Sequence, residues 1–293
     1  MCSIVAIFTL FVYFKKQYNK GMTIPQFQKK ILGWYNPPAG GRRDMPWRRT
    51  RDPYKILVSE IMLQQTQISR VLPKYKEFLK EFPTIQSLAK ASDKKLLKVW
   101  SGLGYWRRAK FLKETAKVIS KKYKGKFPRN PKVLETLPGI GHYTARALSC
   151  FAFNNPDVFL DTNIRRLYLH FFFRNKRDIS DKEILEIAQK AVWKKNPREW
   201  HYALFDYGAI QLRDKNINRR SRHYHKQSTF KGSFRSFRAK VVKFLLSHPN
   251  NKTSHKALEN FLRKEKSPYP AAKILNALVK DKILKKSEKY YFI

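Results

Sequence analysis

A tight glycine turn is the feature of this sequence best suited to chemistry. Residues 137–145 read Leu-Pro-Gly-Ile-Gly-His-Tyr-Thr-Ala. Two glycines in such a turn, between two helical segments, expose consecutive backbone N–H groups at the N-terminus of the second helix, and that arrangement suits a phosphate oxygen. Gly139, Gly141 and Thr144 are therefore predicted to contact phosphate groups.

Glu60 is a solitary carboxyl group in an otherwise apolar helical segment, next to Ile61 and Met62. Loss of solvation should raise its pKa, so that the carboxyl stays protonated near neutral pH. A protonated carboxyl can donate a proton to a leaving group. For Glu60 taken alone, a surface glutamate that pairs with a lysine is the competing interpretation.

Asp161 directly precedes the segment 162–166, where a further helix is predicted to begin. It is expected to cap that helix, whose terminal N–H groups stabilise the ionised carboxylate. A protonated glutamic acid near an ionised aspartate can cleave a glycosidic bond, because one protonates the leaving group while the other faces an oxocarbenium-like sugar. A plain N-cap is the alternative for Asp161 alone.

The composition indicates a polyanionic partner. Lys and Arg total 63 against 21 Asp and Glu, which gives a formal charge of +42 over 293 residues. This excess predicts nucleic-acid binding, with a generally basic solvated surface as the alternative. Apolar residues make up 42% of the chain, so packed cores are expected, in about two domains. A phosphate clamp with an acid beside it then favours an enzyme that acts on DNA over a passive binder.

The two cysteines, Cys2 and Cys150, are too few for a disulfide framework or a four-thiolate metal site. Cys150 lies in an apolar helical run and is predicted to be a buried small hydrophobe. A reducing setting is expected, in the cytoplasm and associated with the nucleoid. No metal site is predicted, because His223 and His225 have no further ligands nearby in the sequence and are expected to face DNA or solvent.

Residues 1–21 are set apart as a leader of unknown role. Their apolar run, from Ile4 to Phe14, is shorter than the roughly 20 residues that cross a bilayer. It also lacks the basic region that precedes the apolar run of a signal peptide, and the small-residue cleavage site that follows it. A short membrane anchor is the alternative, but no membrane partner is expected. Met22 precedes a plausible helix start, so the folded body is predicted to begin there.

The remaining sequence predicts an all-α protein. Apolar residues recur at helical spacing between short Pro and Gly interruptions, with little strand-like alternation before the last dozen or so residues. The helices predicted between Met22 and residue 213 cover 53–66, 73–82, 92–100, 107–123, 131–136, 142–153, 161–173, 181–193 and 197–212.

The C-terminal part has a different pattern. Between residues 211 and 240, ten Lys and Arg against one acid, Asp214, predict a nucleic-acid-facing segment or a linker. Helices are then predicted at 233–246, 254–265 and 268–281, followed by a short hairpin. Three helices and a hairpin outline a winged helix-turn-helix at 233–293. Whether such a domain reads DNA sequence or contacts only the backbone is left open.

Several blocks of the sequence resemble, in the right order, the helix-hairpin-helix (HhH-GPD) DNA glycosylases, most closely the adenine glycosylases of the MutY kind. They lie between about residues 26 and 212 and include, besides the hairpin, Asp44-Met45-Pro46-Trp47, Asp52-Pro53-Tyr54, Ser59 to Thr66, Gly102-Leu103-Gly104-Tyr105 and Asp161-Thr162-Asn163. The resemblance implies a two-lobed helical glycosylase domain over residues 22–228, followed by the winged helix-like domain at 233–293.

The resemblance also implies roles for individual residues. Glu60 would protonate the adenine ring and Asp161 would stabilise the sugar cation, and the residues that would support this pair are Tyr143 and Asn163. The residues expected to line the base pocket are Arg43, Trp47 and Asp206. Those expected to fill or wedge the duplex when a base flips out are Gln64, Gln65 and Tyr105. Bifunctional relatives place a lysine at the position of Tyr143, so hydrolysis without efficient strand scission is expected.

Two departures from the family pattern concern the cofactor and the substrate. Most relatives bind an iron–sulfur cluster through four cysteines. The aligned positions here, within 212–228, are Leu212, Arg219, Arg222 and Ser228, so no cluster and no other cofactor are expected. The chain also has the winged helix-like segment where the family has a module that recognises oxidised guanine.

The expected function is monofunctional base-excision repair. A monomer would bind double-stranded DNA that contains a mismatched or damaged base pair and would excise adenine opposite guanine or 8-oxoguanine. Removal of thymine or uracil from G·T or G·U mismatches is one alternative, although Gln64-Gln65-Thr66 and Gly104-Tyr105 favour adenine. A non-catalytic DNA-binding protein is the other, and the presence of both Glu60 and Asp161 argues against it.

Overall fold

The computed structural model describes residues 22–293 except residues 37, 39, 214 and 227. The leader predicted at 1–21 lies outside the described residues. The described part of the chain divides into two compact units, one containing residues up to Asp44 together with Asn154–His225, the other Met45–Phe153 together with Lys226–Ile293. No helix in this part of the chain is long and apolar enough to span a bilayer.

The predominantly helical fold is confirmed over these residues. The helices are α1 (Ile24–Tyr35), α2 (Pro53–Leu63), α3 (Ile68–Glu81), α4 (Ile85–Lys90), α5 (Asp93–Trp100), α6 (Arg107–Lys122), α7 (Pro131–Leu134), α8 (His142–Phe153), α9 (Thr162–Phe172), α10 (Asp181–Ala191), α11 (Pro197–Ile210), α12 (Lys215–Asn218), α13 (Phe234–Ser247), α14 (His255–Lys264) and α15 (Ala271–Lys280). The strands are β1 (Lys252–Ser254), β2 (Lys285–Lys286) and β3 (Tyr290–Phe292).

The first unit packs α1 against α10 and α11, and α9 against α11 and α12, around an aromatic core. Phe27 of α1 is fully buried, and its ring lies 5.4 Å from that of Tyr168 and 5.6 Å from that of Trp200. Thr23 caps α1 in a reciprocal arrangement with Gln26, which satisfies two backbone donors at the start of the helix. This core supports α9, which begins directly after Asp161.

The second unit is built around α2, which is buried from Ile56 to Met62. Asp52 caps it by accepting a hydrogen bond from the Tyr54 backbone N–H, and α8 packs along it. The same unit contains the C-terminal segment, in which α13, α14 and α15 pack together. A small antiparallel sheet in the order β1-β3-β2 completes that segment, with Thr253 opposite Tyr291 and Lys286 also opposite Tyr291.

The structure differs from the sequence predictions at five elements. α2 stops at Leu63 rather than at residue 66, because Gln64 leaves helical geometry and Gln65 has a φ of 54°. α3 begins at Ile68 rather than at Pro73, which lies inside the helix. The short helices α4 and α12 and the three-residue β1 are not predicted from the sequence, since each is too short to show a period. The other predicted helices lie within a few residues of their observed bounds.

Candidate active site

Glu60 and Tyr143 are brought together in the second unit. Glu60 lies on α2, and only 8% of its surface is exposed to solvent. The Tyr143 hydroxyl, on the first turn of α8, donates a hydrogen bond to Glu60 Oε2 at 3.3 Å. A buried carboxyl group on an otherwise apolar helix, with a hydroxyl donating to it, is arranged as a general acid requires. That Glu60 stays protonated near neutral pH remains a prediction.

The glycine turn between α7 and α8 adopts the geometry expected from its sequence. Gly139 has a φ of +72°, and a Cβ added there would lie 2.5 Å from the Cβ of Phe111. The Thr115 hydroxyl donates to the Pro138 carbonyl at 2.6 Å and holds the turn against α6. Gly141 is exposed, and a Cβ added there would meet open space. The turn therefore needs glycine at 139 for packing, whereas at 141 it leaves the backbone accessible.

The N-terminus of α8 is consequently open to an incoming anion. The first N–H groups of a helix have no intrahelical acceptors, and the helix dipole favours negative charge beside them. Gly141 and His142 are both exposed at this end. The Thr144 side chain is buried, and its hydroxyl accepts a hydrogen bond from Gln64 Nε2 at 3.4 Å. A phosphate contact by Thr144 would therefore fall to its backbone N–H.

Asp161 and Asn163 form a hydrogen-bonded pair in the first unit. Asp161 caps α9, with Oδ1 accepting from the backbone N–H groups of Asn163 at 2.9 Å and Ile164 at 2.7 Å. Asp161 Oδ2 accepts from the Asn163 side-chain amide at 2.9 Å. Gly208 allows this arrangement, because a Cβ there would lie 2.3 Å from the Asn163 carbonyl oxygen. Asn163 therefore contacts Asp161 directly, as its expected supporting role requires.

Burial and hydrogen bonding shift the pKa of Asp161 in opposite directions. Burial raises the pKa of the Asp161 carboxyl above its ordinary value, and this effect outweighs the hydrogen bonds from Ile164 and Asn163 and the charge of Arg165, which lower it. Arg165 is itself engaged with Asp181, through two contacts of 2.8 Å. The hydrogen bonds and the charge of Arg165 therefore offset only part of the cost of burying a charge at Asp161.

Of the three residues predicted to line a base pocket, two contact each other. Asp206 is fully buried on α11. It accepts hydrogen bonds from the Arg43 backbone N–H at 2.9 Å and from Arg43 Nε at 2.5 Å. Trp47, in the second unit, is 4% exposed and packs edge-on against Tyr75 at 5.3 Å between ring centroids. A role for these residues in base recognition stays a prediction.

The two loops predicted to invade a duplex share one guanidinium group. Arg108 of α6 donates to the carbonyl oxygens of Gln64 and Leu103, and to the Thr66 hydroxyl at 3.2 Å. It also donates to the carbonyls of Ile61 at 2.9 Å and Met62 at 3.1 Å, at the end of α2. Burial lowers the pKa of Arg108 to about 10. Arg108 therefore ties the 64–66 loop to the 102–105 loop.

Both loops contain a non-glycine residue in the left-handed region. Gln65 has a φ of 54° and Tyr105 a φ of 46°. Such backbone costs free energy and persists only where the surroundings enforce it. Arg108 donates hydrogen bonds to both loops. The sequence does not reveal this role, because a single arginine after an aromatic turn carries no local signal.

Arginine side chains also hold the segment that follows α11. Arg166 Nη1 donates to the carbonyls of Gly208 at 2.9 Å and Leu212 at 2.8 Å. Arg220 Nη1 donates to the Phe173 carbonyl at 3.0 Å, and Arg222 pairs with Asp178 at 2.7 Å. Cys150 is buried, as predicted. Within the described residues, no cluster of three or more His, Cys, Asp or Glu could hold a metal ion.

Comparison with known proteins places this geometry in a family. The model of the HhH-GPD superfamily of base excision DNA repair proteins matches residues 58–195. Adenine DNA glycosylase of Buchnera aphidicola subsp. Baizongia pistaciae is 39% identical over 193 residues, which cover 64% of this chain and 54% of that protein. The human adenine DNA glycosylase is 32% identical over 198 residues, covering 64% of this chain and 36% of that protein.

Among solved structures, a thermostable thymine-DNA glycosylase superposes with a TM-score of 0.58 at 33% identity, over 64% of this chain and 86% of that one. A trapped endonuclease III–DNA covalent intermediate superposes with a TM-score of 0.55 at 19% identity, over 66% of this chain and 90% of that one, and this likeness concerns the fold alone. The chain spans about half the length of the curated bacterial adenine glycosylases it matches.

Proposed function

We propose that this chain, which belongs to the HhH-GPD superfamily of base excision DNA repair proteins, is a monofunctional DNA glycosylase that releases adenine mispaired with guanine or 8-oxoguanine. The observation that carries the proposal is the Tyr143–Glu60 hydrogen bond, because it joins a buried acid to a residue in the first turn of α8, the helix that follows the glycine turn. The naming of the curated relatives as adenine DNA glycosylases supports adenine as the base.

The reaction follows from the two carboxyl groups. Glu60 gives its proton to the adenine ring, so that the electrons of the C1′–N bond leave with a neutral base. The ionised Asp161 stabilises the positive charge that develops on the sugar, in the way paired carboxyl groups cleave other glycosidic bonds. Water then adds at C1′ and loses a proton. Tyr143 has no amine for a Schiff base, so the strand is left intact.

The DNA partner is inferred from charge and from the α8 terminus. A chain of net charge +42 gains much of its affinity for DNA by neutralising phosphates and releasing counterions. The exposed Gly141 turn would take one phosphate, and the 64–66 and 102–105 loops would enter the duplex beside the extruded nucleotide. We propose that a monomer does this at the nucleoid, on a duplex containing a mismatch.

We also propose that the enzyme works without an iron–sulfur cluster. The four positions where relatives carry the ligands are Leu212, Arg219, Arg222 and Ser228, so thiolate donors are lacking and the residues do not fit the group. The segment is instead fastened by charge-assisted hydrogen bonds from Arg166 and Arg220 to backbone carbonyls. Such bonds are stronger than neutral ones.

Thymine or uracil excision is the second candidate. The observation that favours it is the similarity to the thermostable thymine-DNA glycosylase, at 33% identity over 86% of that chain. The two candidates require different bases to be protonated or expelled at the same site. A mismatch panel separates them directly.

The test is base release from otherwise identical duplexes that contain A·8-oxoG, A·G, T·G or U·G, followed by alkali to cleave abasic sites. Adenine release from A·8-oxoG or A·G supports the proposal, and products from T·G or U·G alone would establish the second candidate. Asp161→Asn is the negative variant, and Asp157→Asn makes the same change in the preceding loop as its matched control. If no duplex yields a product that depends on Asp161, the protein is not a glycosylase for these bases.

A further inference from the structure

Tyr105 is contacted by a residue of the C-terminal helical segment. Arg235, in the first turn of α13, donates a hydrogen bond from Nη1 to the Tyr105 hydroxyl, and its guanidinium carbon lies 5.5 Å from the centre of the Tyr105 ring. The guanidinium of Arg108 lies 5.1 Å from the centre of the same ring. The ring is therefore held by two arginines, one of them from the segment that follows residue 226.

Arg235 is itself anchored on its other side. Its Nη2 donates to the Ser228 carbonyl at 2.9 Å and to the Ser228 hydroxyl at 3.3 Å. The guanidinium is planar and presents its donors in a fixed fork. The contacts of Nη2 with Ser228 help to set the plane of the guanidinium, and Nη1 donates to the Tyr105 hydroxyl.

A second contact joins the same two parts of the chain. Asp281, which follows α15, pairs with Arg238 of α13 and also with Arg107 at 3.7 Å. Arg107 begins α6, next to Arg108 and directly after the loop that carries Tyr105. The C-terminal segment thus contacts the start of α6 at two places.

The backbone of Tyr105 is strained. The residue has a φ of 46°, in the region that non-glycine residues seldom occupy. It follows Gly104, whose φ is also positive at 69°. The Tyr105 ring on this turn is contacted by Arg108 and by Arg235, so the C-terminal segment contributes to its orientation.

We propose that Arg235 is a positioning residue that holds the Tyr105 ring in the orientation in which it fills the duplex when the target nucleotide is extruded. The C-terminal segment then contributes to base extrusion rather than only to DNA affinity. This inference rests on the proposed glycosylase function. It assigns to Arg235 a role that acts through Tyr105 and not through contact with the base.

The test measures extrusion separately from binding and hydrolysis, with the full-length chain. A duplex carries 2-aminopurine opposite guanine at the target position, and its fluorescence rises when the base leaves the stack. Affinity for a fully paired duplex is measured in parallel. Arg235→Ala is compared with Lys243→Ala, which removes one positive charge from an exposed position of the same helix.

Arg235→Ala is expected to lower the extrusion equilibrium about tenfold or more, as the loss of one charged hydrogen bond implies, with affinity for the paired duplex reduced no more than by Lys243→Ala. Arg235→Lys keeps the charge but lacks the fork, and should not restore extrusion. Tyr105→Phe should act like Arg235→Ala, and the double variant should be no worse than either single one.

Extrusion by Arg235→Ala equal to that by Lys243→Ala overturns the inference, and so does full restoration by Arg235→Lys. If the Arg235 variants do not fold, Tyr105→Phe tests the same hydrogen bond by removing its acceptor. Extrusion by that variant at the wild-type level would also overturn the inference. Fluorescence does not require catalysis. Failure of the proposed function is recognised separately, as an absence of base release from the wild-type protein on every mismatch.

Discussion

Replacing the two glycines of the α7–α8 turn by alanine should separate folding from DNA binding. At Gly139 the new Cβ would lie 2.5 Å from the Cβ of Phe111. That atom is attached to the backbone of α6, so a rotamer change cannot remove the clash. The φ of +72° adds a separate strain. At Gly141 the same methyl group would enter open space.

The expected magnitudes follow from these contacts. Left-handed strain costs about 1–2 kcal/mol for a residue with a Cβ, and overpacking costs about 1–3 kcal/mol, so Gly139→Ala should lower the free energy of unfolding by about 2–5 kcal/mol. At roughly 2–4 °C per kcal/mol, its Tm should fall on the order of 10 °C. Gly141→Ala should change the free energy of unfolding by less than about 1 kcal/mol.

DNA affinity should respond in the opposite order. A methyl group at 141 obstructs the approach of a phosphate to the α8 terminus, so Gly141→Ala should weaken binding at every salt concentration. The slope of log affinity against log salt should stay close to that of wild type, because no Lys or Arg charge is removed. The assays are thermal unfolding and salt-dependent fluorescence anisotropy with a paired duplex. A Gly141→Ala protein that binds like wild type over the whole salt series refutes the phosphate assignment, and an unchanged Tm for Gly139→Ala refutes the packing argument.

Three further outcomes are expected. Tyr143→Phe removes the hydroxyl that donates to Glu60, so single-turnover adenine release should slow by up to about tenfold, as the loss of one neutral hydrogen bond implies; an unchanged rate contradicts a supporting role. Burial raises the pKa of Asp161 in the folded state. Ionisation of Asp161 therefore lowers the free energy of unfolding as the pH rises from the ordinary pKa of an aspartate, about 4, through the folded-state pKa. Asn can keep the cap without that charge. Asp161→Asn should therefore unfold at no lower urea concentration than wild type at neutral pH, and any advantage should shrink as the pH falls towards about 4 and be absent below it; a large loss at neutral pH contradicts this. Finally, the purified protein should contain no stoichiometric iron and should keep its activity after treatment with a chelator, and elemental analysis that finds four irons per chain would contradict the cluster-free assignment.

Sequence reasoning succeeded where the determinants are local. The cap of α9 by Asp161, the starts of α5 and α13 next to Ser92 and Ser233, and the tight turn at Gly139 each depend on a few consecutive residues. The turn chemistry of such positions is nearly independent of the rest of the fold. The order of the elements depends on the same local signals and could be predicted. The position at which a helix ends, such as Leu63, could not.

Contacts between distant parts of the chain were not accessible in this way. Arg108 contacts carbonyls that lie 44 and 47 residues earlier, and Arg235 contacts a tyrosine 130 residues earlier. Neither arginine differs in sequence context from the many other basic residues of a chain with charge +42. The desolvation that raises the pKa of Asp161 was likewise not accessible, because it depends on the packing around α9 and not on the cap motif.

The most direct test of the account is single-turnover release of adenine from an A·8-oxoG duplex by the wild-type protein, Glu60→Gln and Asp161→Asn. Asp157→Asn and the exposed Glu186→Gln serve as matched controls. Because one variant lacks the donated proton and the other the stabilising anion, each should release adenine at least about 100-fold more slowly than wild type, with duplex affinity within a few-fold and both controls active. Wild-type release by either catalytic variant would contradict the account.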